Sequence, residues 1–266
     1  MGESKGRGLI IAGSDSGGGA GVQADIKTVT ALGGYAATAI TAITVQNTLG
    51  VGGVFPIPPQ LVADQARAVL DDIGADAIKT GMIGTAAMVD CVAEIIAAAG
   101  VPAVIDPVMV AKGGAPLLDA EAVGRVRERL VPLAAVLTPN APEAAALTGL
   151  VVETTDDLRR AGEALLALGA RAVLMKGGHV AGETVTDLLI TPAGETGFSG
   201  ARIETRHTHG TGCTLASAVA VGLAQGMSLD AAVARAWAYV AEAIRRAPGF
   251  GAGAGPLDHA WPARGR

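Results

Sequence analysis

The chain has 266 residues, 50% of them apolar, and a formal net charge of -5, with a pI near 5.4 and a mean hydropathy of +0.43. An acidic chain whose few lysines never cluster lacks the concentrated basic face that a nucleic-acid backbone requires. No run of about 18 uncharged apolar residues survives the scattered Gly, Asp and Glu to span a bilayer, and Cys91 and Cys213 supply no disulfide framework, which predicts a reducing, cytoplasmic setting.

In chain order, the short polar start runs into Leu9-Ile10-Ile11-Ala12 and then into glycines and Asp15, too brief an apolar run for a secretory signal. From there short apolar runs alternate with helical patterns. Strands are predicted at 8–12, 36–43, 75–79, 103–106, 134–137, 172–176 and 185–190. Helices are predicted at 22–32, 59–72, 85–99, 120–130, 143–148, 155–168, 214–225 and 229–246. This alternation is that of βα units and a mainly parallel sheet, and with no linker to divide it the whole chain, 1–266, reads as one domain. Residues 184–207 read as strand pairs turning at Pro192-Ala193-Gly194 and at Ser199-Gly200, which predicts an antiparallel edge. The Gly-rich tail after Pro248 is either a loop returning to the site or partly disordered.

Polar and glycine-rich residues collect where strands end: Gly13-Ser14-Asp15, Gln46-Asn47, Gly81-Met82, Asp106-Pro107, Thr138-Pro139-Asn140 and Lys176-Gly177-Gly178. In an open parallel sheet, ligands bind outside the carboxyl ends of the strands, so one crevice can gather them all. The stretch 206–214 runs from His207-Thr208-His209-Gly210-Thr211-Gly212 straight into an alanine-rich helix. A helix start has unpaired amides and partial positive charge, and glycines let backbone approach a phosphate. Cys213 at that tip is expected to have a lowered pKa and to act as a base or nucleophile; a plain strand-to-helix turn with a small buried Cys213 fits the same residues equally well.

The loop Gly13 to Gly21 is not a dinucleotide fingerprint, since the third glycine of that pattern falls on Val22 and no acidic residue ends a second strand. No lysine follows a glycine, so there is no phosphate-binding P-loop either. The loop reads as a substrate lid or cradle. Asp25 falls on or beside the apolar stripe of Val22, Ile26 and Val29, and a buried carboxylate needs a partner. A ligand hydroxyl or ring amine, a salt bridge and a helix cap are all open to it. Asp106, Asn140 and Glu143 at neighbouring strand ends suit Mg2+ held through water, while Asn140 and Glu143 also have the spacing of a capping box. Lys176 at a strand terminus suits a phosphate. His207 and His209 flank one residue of an extended run, point to opposite faces, and give no simple zinc site.

These residues together resemble the hydroxymethylpyrimidine and hydroxymethylpyrimidine-phosphate kinases of thiamin biosynthesis, in the ribokinase-like superfamily. The resemblance runs from about Leu9 to about Ile244 and rests on the motifs 12–25, 40–48, 106–114, 138–144, 175–179 and 207–214. It implies a three-layer α/β/α fold with a mainly parallel central sheet and an antiparallel edge, ATP and Mg2+ as cofactors, and two successive phosphorylations of the pyrimidine. It further implies that Gly13, Asp25, Gln46, Met82 and Val108 line the pyrimidine pocket and that Asp106 and Glu143, supported by Asn140, organise Mg2+. By the same resemblance Lys176, Thr208, Gly210, Thr211 and Gly212 hold nucleotide phosphates, Cys213 takes the place of the aspartate base of sugar kinases, and the protein is a homodimer. The ending Gly255-Pro256-Leu257-Asp258-His259 resembles the Gly-Pro-x-x-His ending of that family. A pyridoxal or pyridoxine kinase of the same type and a pyrimidine-binding sensor without activity are the alternatives.

Overall fold

The computed structural model describes residues 6–110, 114, 117, 118 and 120–265; Ala111, Lys112 and Gly113 of the motif that starts at Asp106 lie outside the described residues. The elements are β1 (Arg7–Ser14), α1 (Gly21–Ala31), β2 (Tyr35–Asn47), β3 (Gly50–Pro56), α2 (Pro59–Asp72), β4 (Ala77–Thr80), α3 (Ala86–Ala99) and β5 (Ala103–Ile105). There follow α4 (Ala120–Arg125), β6 (Val136–Leu137), α5 (Ala141–Thr148), α6 (Thr155–Ala167), β7 (Val173–Met175), β8 (Thr184–Thr191), β9 (Gly194–Ala201), α7 (Thr211–Ala224) and α8 (Leu229–Arg245).

The strands form one sheet in the order β3-β2-β1-β4-β5-β6-β7-β8-β9. From β2 to β7 the pairings are parallel, and β3, β8 and β9 pair antiparallel at the two edges. The central parallel strands are mostly apolar because helices cover both their faces, Lys79 and Thr80 of β4 being buried polar exceptions. Leu9, Ile11, Ile78, Ile105 and Val173 pack with Val62, Val89, Leu147 and Leu158 on the side of α2, α3, α5 and α6. Ile10 and Ala12 pack with Val22, Val29 and Val221, and Val104, Val136 and Leu174 with Val219 and Val233, on the side of α1, α7 and α8. The outcome is the three-layer α/β/α arrangement with a mainly parallel sheet and an antiparallel edge.

Two details differ from the sequence reading. Ser199 and Gly200 are not a turn: both lie inside β9, opposite Thr186 and Val185. A Cβ at Gly200 would meet the ring of Trp237 at 2.7 Å, so this glycine makes room for a side chain of α8. A second antiparallel edge also exists at β3, whose glycines hide it from any alternation of apolar residues. Because β1 lies between β2 and β4, the chain reverses its direction of travel across the sheet there, which is where open sheets of this kind form a ligand crevice beyond the strand ends.

Candidate active site

The start of α7 closes one wall of this crevice. Gly210 precedes the helix with φ +83, and a Cβ on it would overlap the Gly19 carbonyl oxygen, so only glycine fits. The loop 13–21 and the helix tip therefore touch backbone to backbone. A Cβ on Gly212 would stand 3.2 Å from Lys176 Nζ and 3.7 Å from Asp106 Oδ2, which brings the tip, the lysine and the carboxylate to one place. Thr211 Oγ donates to the Thr208 carbonyl at 2.8 Å, and the amides of Gly212 and Cys213 belong to the first turn, where the helix itself offers no acceptor.

Lys176 leaves the end of β7 with its amide donating to the Pro139 carbonyl at 2.9 Å. Its ammonium donates to Asp106 Oδ1 at 2.8 Å and lies 3.5 Å from Glu143 Oε2. Asp106 also accepts from Thr138 Oγ1 at 3.1 Å. Burial opposes the charge on Lys176, but the two carboxylates outweigh it and hold the ammonium above its usual range. Burial drives the Glu143 carboxyl up, against the pull of Lys176. Asn140 and Glu143 form the capping box of α5, with Asn140 Oδ1 accepting the Glu143 amide at 2.9 Å and Glu143 Oε2 accepting the Asn140 amide at 2.8 Å. Capping and charge cluster thus coexist. Among the described residues no group of three or more His, Cys, Asp or Glu side chains is arranged to hold a metal, so Asp106 and Glu143 stand as two oxygen donors rather than a full ligand set.

Two site residues behave otherwise than the sequence suggests. Asp25 is fully buried; its oxygens accept from Lys79 Nζ at 2.9 and 2.8 Å, and Oδ1 also accepts from Ser217 Oγ at 2.7 Å. The salt-bridge alternative is the one observed, and the side chain presents no surface to the crevice. Burial opposes the Lys79 charge too, yet Asp25 outweighs it. Lys79 carries no motif; its signal is a charge inside a buried apolar strand, which demands a partner just as Asp25 does. Contrary to the expectation of a lowered pKa, the helix start does not acidify Cys213: desolvation pushes the thiol up to about 11, with Lys79 only partly opposing and Asp25 and Asp106 adding to the rise. Although Cys213 keeps some exposure, desolvation and the neighbouring carboxylates outweigh the helix tip.

Gly13, the last residue but one of β1, lies against Met82, where a Cβ would stand 3.0 Å from Met82 Sδ. The Met82 carbonyl accepts from Thr41 Oγ1 at 2.7 Å. Val108 follows Asp106 and Pro107 and lines a small cavity with them and with Gly81. Gln46 is half-buried, its amide nitrogen 3.2 Å from His209 Nε2. That imidazole also meets Asp15 Oδ2 at 2.9 Å. Asp15 gathers the loop by accepting the amides of Gly17, Gly19 and Ala20 at 2.8, 3.0 and 2.8 Å; burial raises its pKa, but His209 and the amides of Ala20 and Gly17 bring it below the usual carboxylate value. His209 faces this network while a Cβ on Gly255 would overlap the ring of His207, in keeping with their opposite directions.

Residues 15–258 match the family model described as Phosphomethylpyrimidine kinase. Over 253 residues the chain is 52% identical to a hydroxymethylpyrimidine/phosphomethylpyrimidine kinase of Streptomyces coelicolor, spanning 95% of this chain and 94% of that one. Among solved structures it is similar to a Bacillus subtilis pyridoxal kinase in an ADP complex, with a TM-score of 0.90 and 38% identity over 96% of this chain and 98% of that chain. It is also similar to a phosphomethylpyrimidine kinase from Clostridium difficile, with a TM-score of 0.81 and 41% identity over 90% of this chain and 100% of that chain. With these matches spanning nearly its whole length, the chain belongs to the phosphomethylpyrimidine kinase family.

Proposed function

We propose that the protein transfers a phosphoryl group from ATP to the hydroxymethyl group of 4-amino-5-hydroxymethyl-2-methylpyrimidine and then a second one to the monophosphate, in thiamin biosynthesis. The observation that carries this is the meeting of the α7 tip, Lys176 and Asp106 at the strand ends beside Gly13, Met82 and Val108, in a chain of this family. Thr208, Gly210, Thr211 and Gly212 offer backbone to phosphate, and Lys176 offers charge. Gln46, Gly13, Met82 and Val108 receive the ring, with Asp25 shaping the floor beneath through Lys79. The hard, buried oxygens of Asp106 and Glu143 fit Mg2+ bound largely through water, with Asn140 supporting Glu143. Bound there, Mg2+ would neutralise phosphate charge. Cys213 stands at the helix tip as a neutral thiol, a weak base, so positioning and charge stabilisation carry the transfer, as phosphoryl transfer allows.

The test is ADP release by the folded protein with Mg-ATP and either hydroxymethylpyrimidine or its monophosphate; no ADP from either overturns the reading. A pyridoxal kinase is the second reading, favoured by the TM-score of 0.90 to the Bacillus enzyme of that name; a higher kcat/KM on pyridoxal in a side-by-side assay would select it. We further propose a cytoplasmic homodimer. No helix among the described residues is long and apolar enough to cross a membrane. Ile43, Val45 and Phe55 stand exposed on one face of the β2–β3 hairpin, an apolar row suited to a second copy and readable by light scattering after Phe55→Glu.

A further inference from the structure

The tail after Pro248 returns across the site and is fixed at successive points. At the tip of the β2–β3 hairpin, the Ala254 amide donates to the Thr48 carbonyl at 2.9 Å and the Gly253 amide to Thr48 Oγ1 at 3.3 Å. The His209 amide then donates to the Gly255 carbonyl at 3.1 Å, beside the bridge between His209 and Pro256. Leu257, Asp258 and His259 are buried. The Asp258 amide donates to the Ala243 carbonyl at 3.0 Å, and the Tyr239 hydroxyl to the His259 carbonyl at 2.7 Å. At Gly253 a Cβ would overlap the Thr48 carbonyl, so the close approach depends on glycine.

The end of this path is the His259 ring. Its Nε2 lies 2.9 Å from Thr214 Oγ1, whose hydroxyl is 2.8 Å from the carbonyl of Gly210, the residue that caps α7. Thr214 could be satisfied by that carbonyl alone, and an apolar side chain would fill the same space without burying an imidazole. The ring instead adds an anchor from outside the helix to the turn that presents the Gly212 and Cys213 amides. The segment also grips His209, which contacts Asp15 and Gln46, so donor and acceptor walls share one fastening.

We propose that residues 253–259 are a latch completing the phosphate cradle, with His259 as a positioning residue that fixes the first turn of α7 through the Thr214 hydroxyl. This rests on the reading of that turn as the phosphate site given under the proposed function.

The test measures Mg-ADP affinity by calorimetry, alongside kcat and thermal stability, for His259→Ala, Thr214→Val and the double variant. Each single substitution is expected to weaken Mg-ADP binding by about tenfold, the effect of one buried hydrogen bond, while hydroxymethylpyrimidine affinity moves by less than about twofold. The double variant is expected to be no weaker than either single one, and Thr214→Ser, which keeps the hydroxyl, to return within about threefold of wild type. Single variants within about twofold of wild type, or a double loss near a hundredfold, overturn the latch. Should His259→Ala fail to fold, the contrast between Thr214→Val and Thr214→Ser gives the same decision. A wild-type protein that binds Mg-ADP but phosphorylates no pyrimidine refutes the proposed substrate and leaves the affinity comparison standing; an active wild type with unmoved affinities refutes the latch alone.

Discussion

Replacing Lys79 by methionine removes the ammonium that both oxygens of Asp25 accept at 2.8 to 2.9 Å, while leaving a side chain of similar length to fill the space. Both partners are essentially inaccessible to solvent, at 1% and 0% exposure, so water cannot take the place of the lost charge. Stranding one member of a buried pair costs about 3–5 kcal/mol, and in a chain of this size that lowers Tm by roughly 6–20 °C. Ser217 still donates to Asp25, which places the expected loss toward the lower end. Lys79→Met combined with Asp25→Leu removes both charges and is expected to recover most of the stability, because the pair's attraction is largely offset by its desolvation. Since Lys79 is the chief influence lowering the Cys213 thiol, the single variant also moves thiol titration to higher pH. Urea denaturation and thiol alkylation against pH read the two effects. A single-variant loss below about 1 kcal/mol, or a double variant no more stable than the single one, refutes the account of a paired charge buried beneath the crevice.

Alkylation of Cys213 is expected to rise about tenfold per pH unit through neutral and mildly alkaline pH, as for a thiol near 11; a plateau below pH ~9 would show an activated thiolate instead. Gly210→Ala meets both a left-handed backbone and the Gly19 carbonyl, so it should cost roughly 1–3 kcal/mol by denaturation and abolish nucleotide binding; retained binding contradicts the packed junction. Burial holds His259 down at about 4, with Lys27 adding to the fall and Asp258 opposing it, against an ordinary value of 6.5. The unfolded chain then takes up the proton first, so this residue's share of stability is intact above pH 6.5 and is lost as pH falls toward 4. That share amounts to about 3 kcal/mol over the whole window. His259→Gln should flatten this part of the pH dependence of urea denaturation, and an unchanged slope would move it to other groups.

The alternation of apolar runs and amphipathic stretches made the parallel core of the sheet legible, because a strand buried on both faces and a helix buried on one leave different periods. The crevice was equally legible from glycines, carboxylates and Lys176 falling at strand ends. Edges were harder. Strand β3 contains Gly50, Gly52 and Gly53 and is held by pairing with β2 rather than by side-chain pattern. Gly200 looked like a turn because the ring of Trp237 that needs its space lies far along the chain. The sign of the Cys213 shift was unreadable for a related reason: a helix start is a local feature, whereas the acidic neighbours that outweigh it, Asp25 of α1 and Asp106 just after β5, lie far off in the sequence. Asp25 and Lys79 each showed an isolated charge in an apolar setting, and matching the two would have found their pair. Nothing local in the tail announced that His259 reaches Thr214.

The Gly19 carbonyl leaves Gly210 no room for a side chain and the His209 ring leaves Gly19 none, so the two walls of the crevice cannot be reshaped one at a time through the loop or the helix tip. On the proposed assignment, substitutions that widen or narrow the choice of ring fall to the ends of β4 and β5, at Met82 and Val108, whereas Gln46 of β2 touches His209 beside Gly210 and so bears on that contact. On that assignment, divergence in substrate preference is channelled to these strand-end positions while the seam of Gly19 and Gly210 stays fixed.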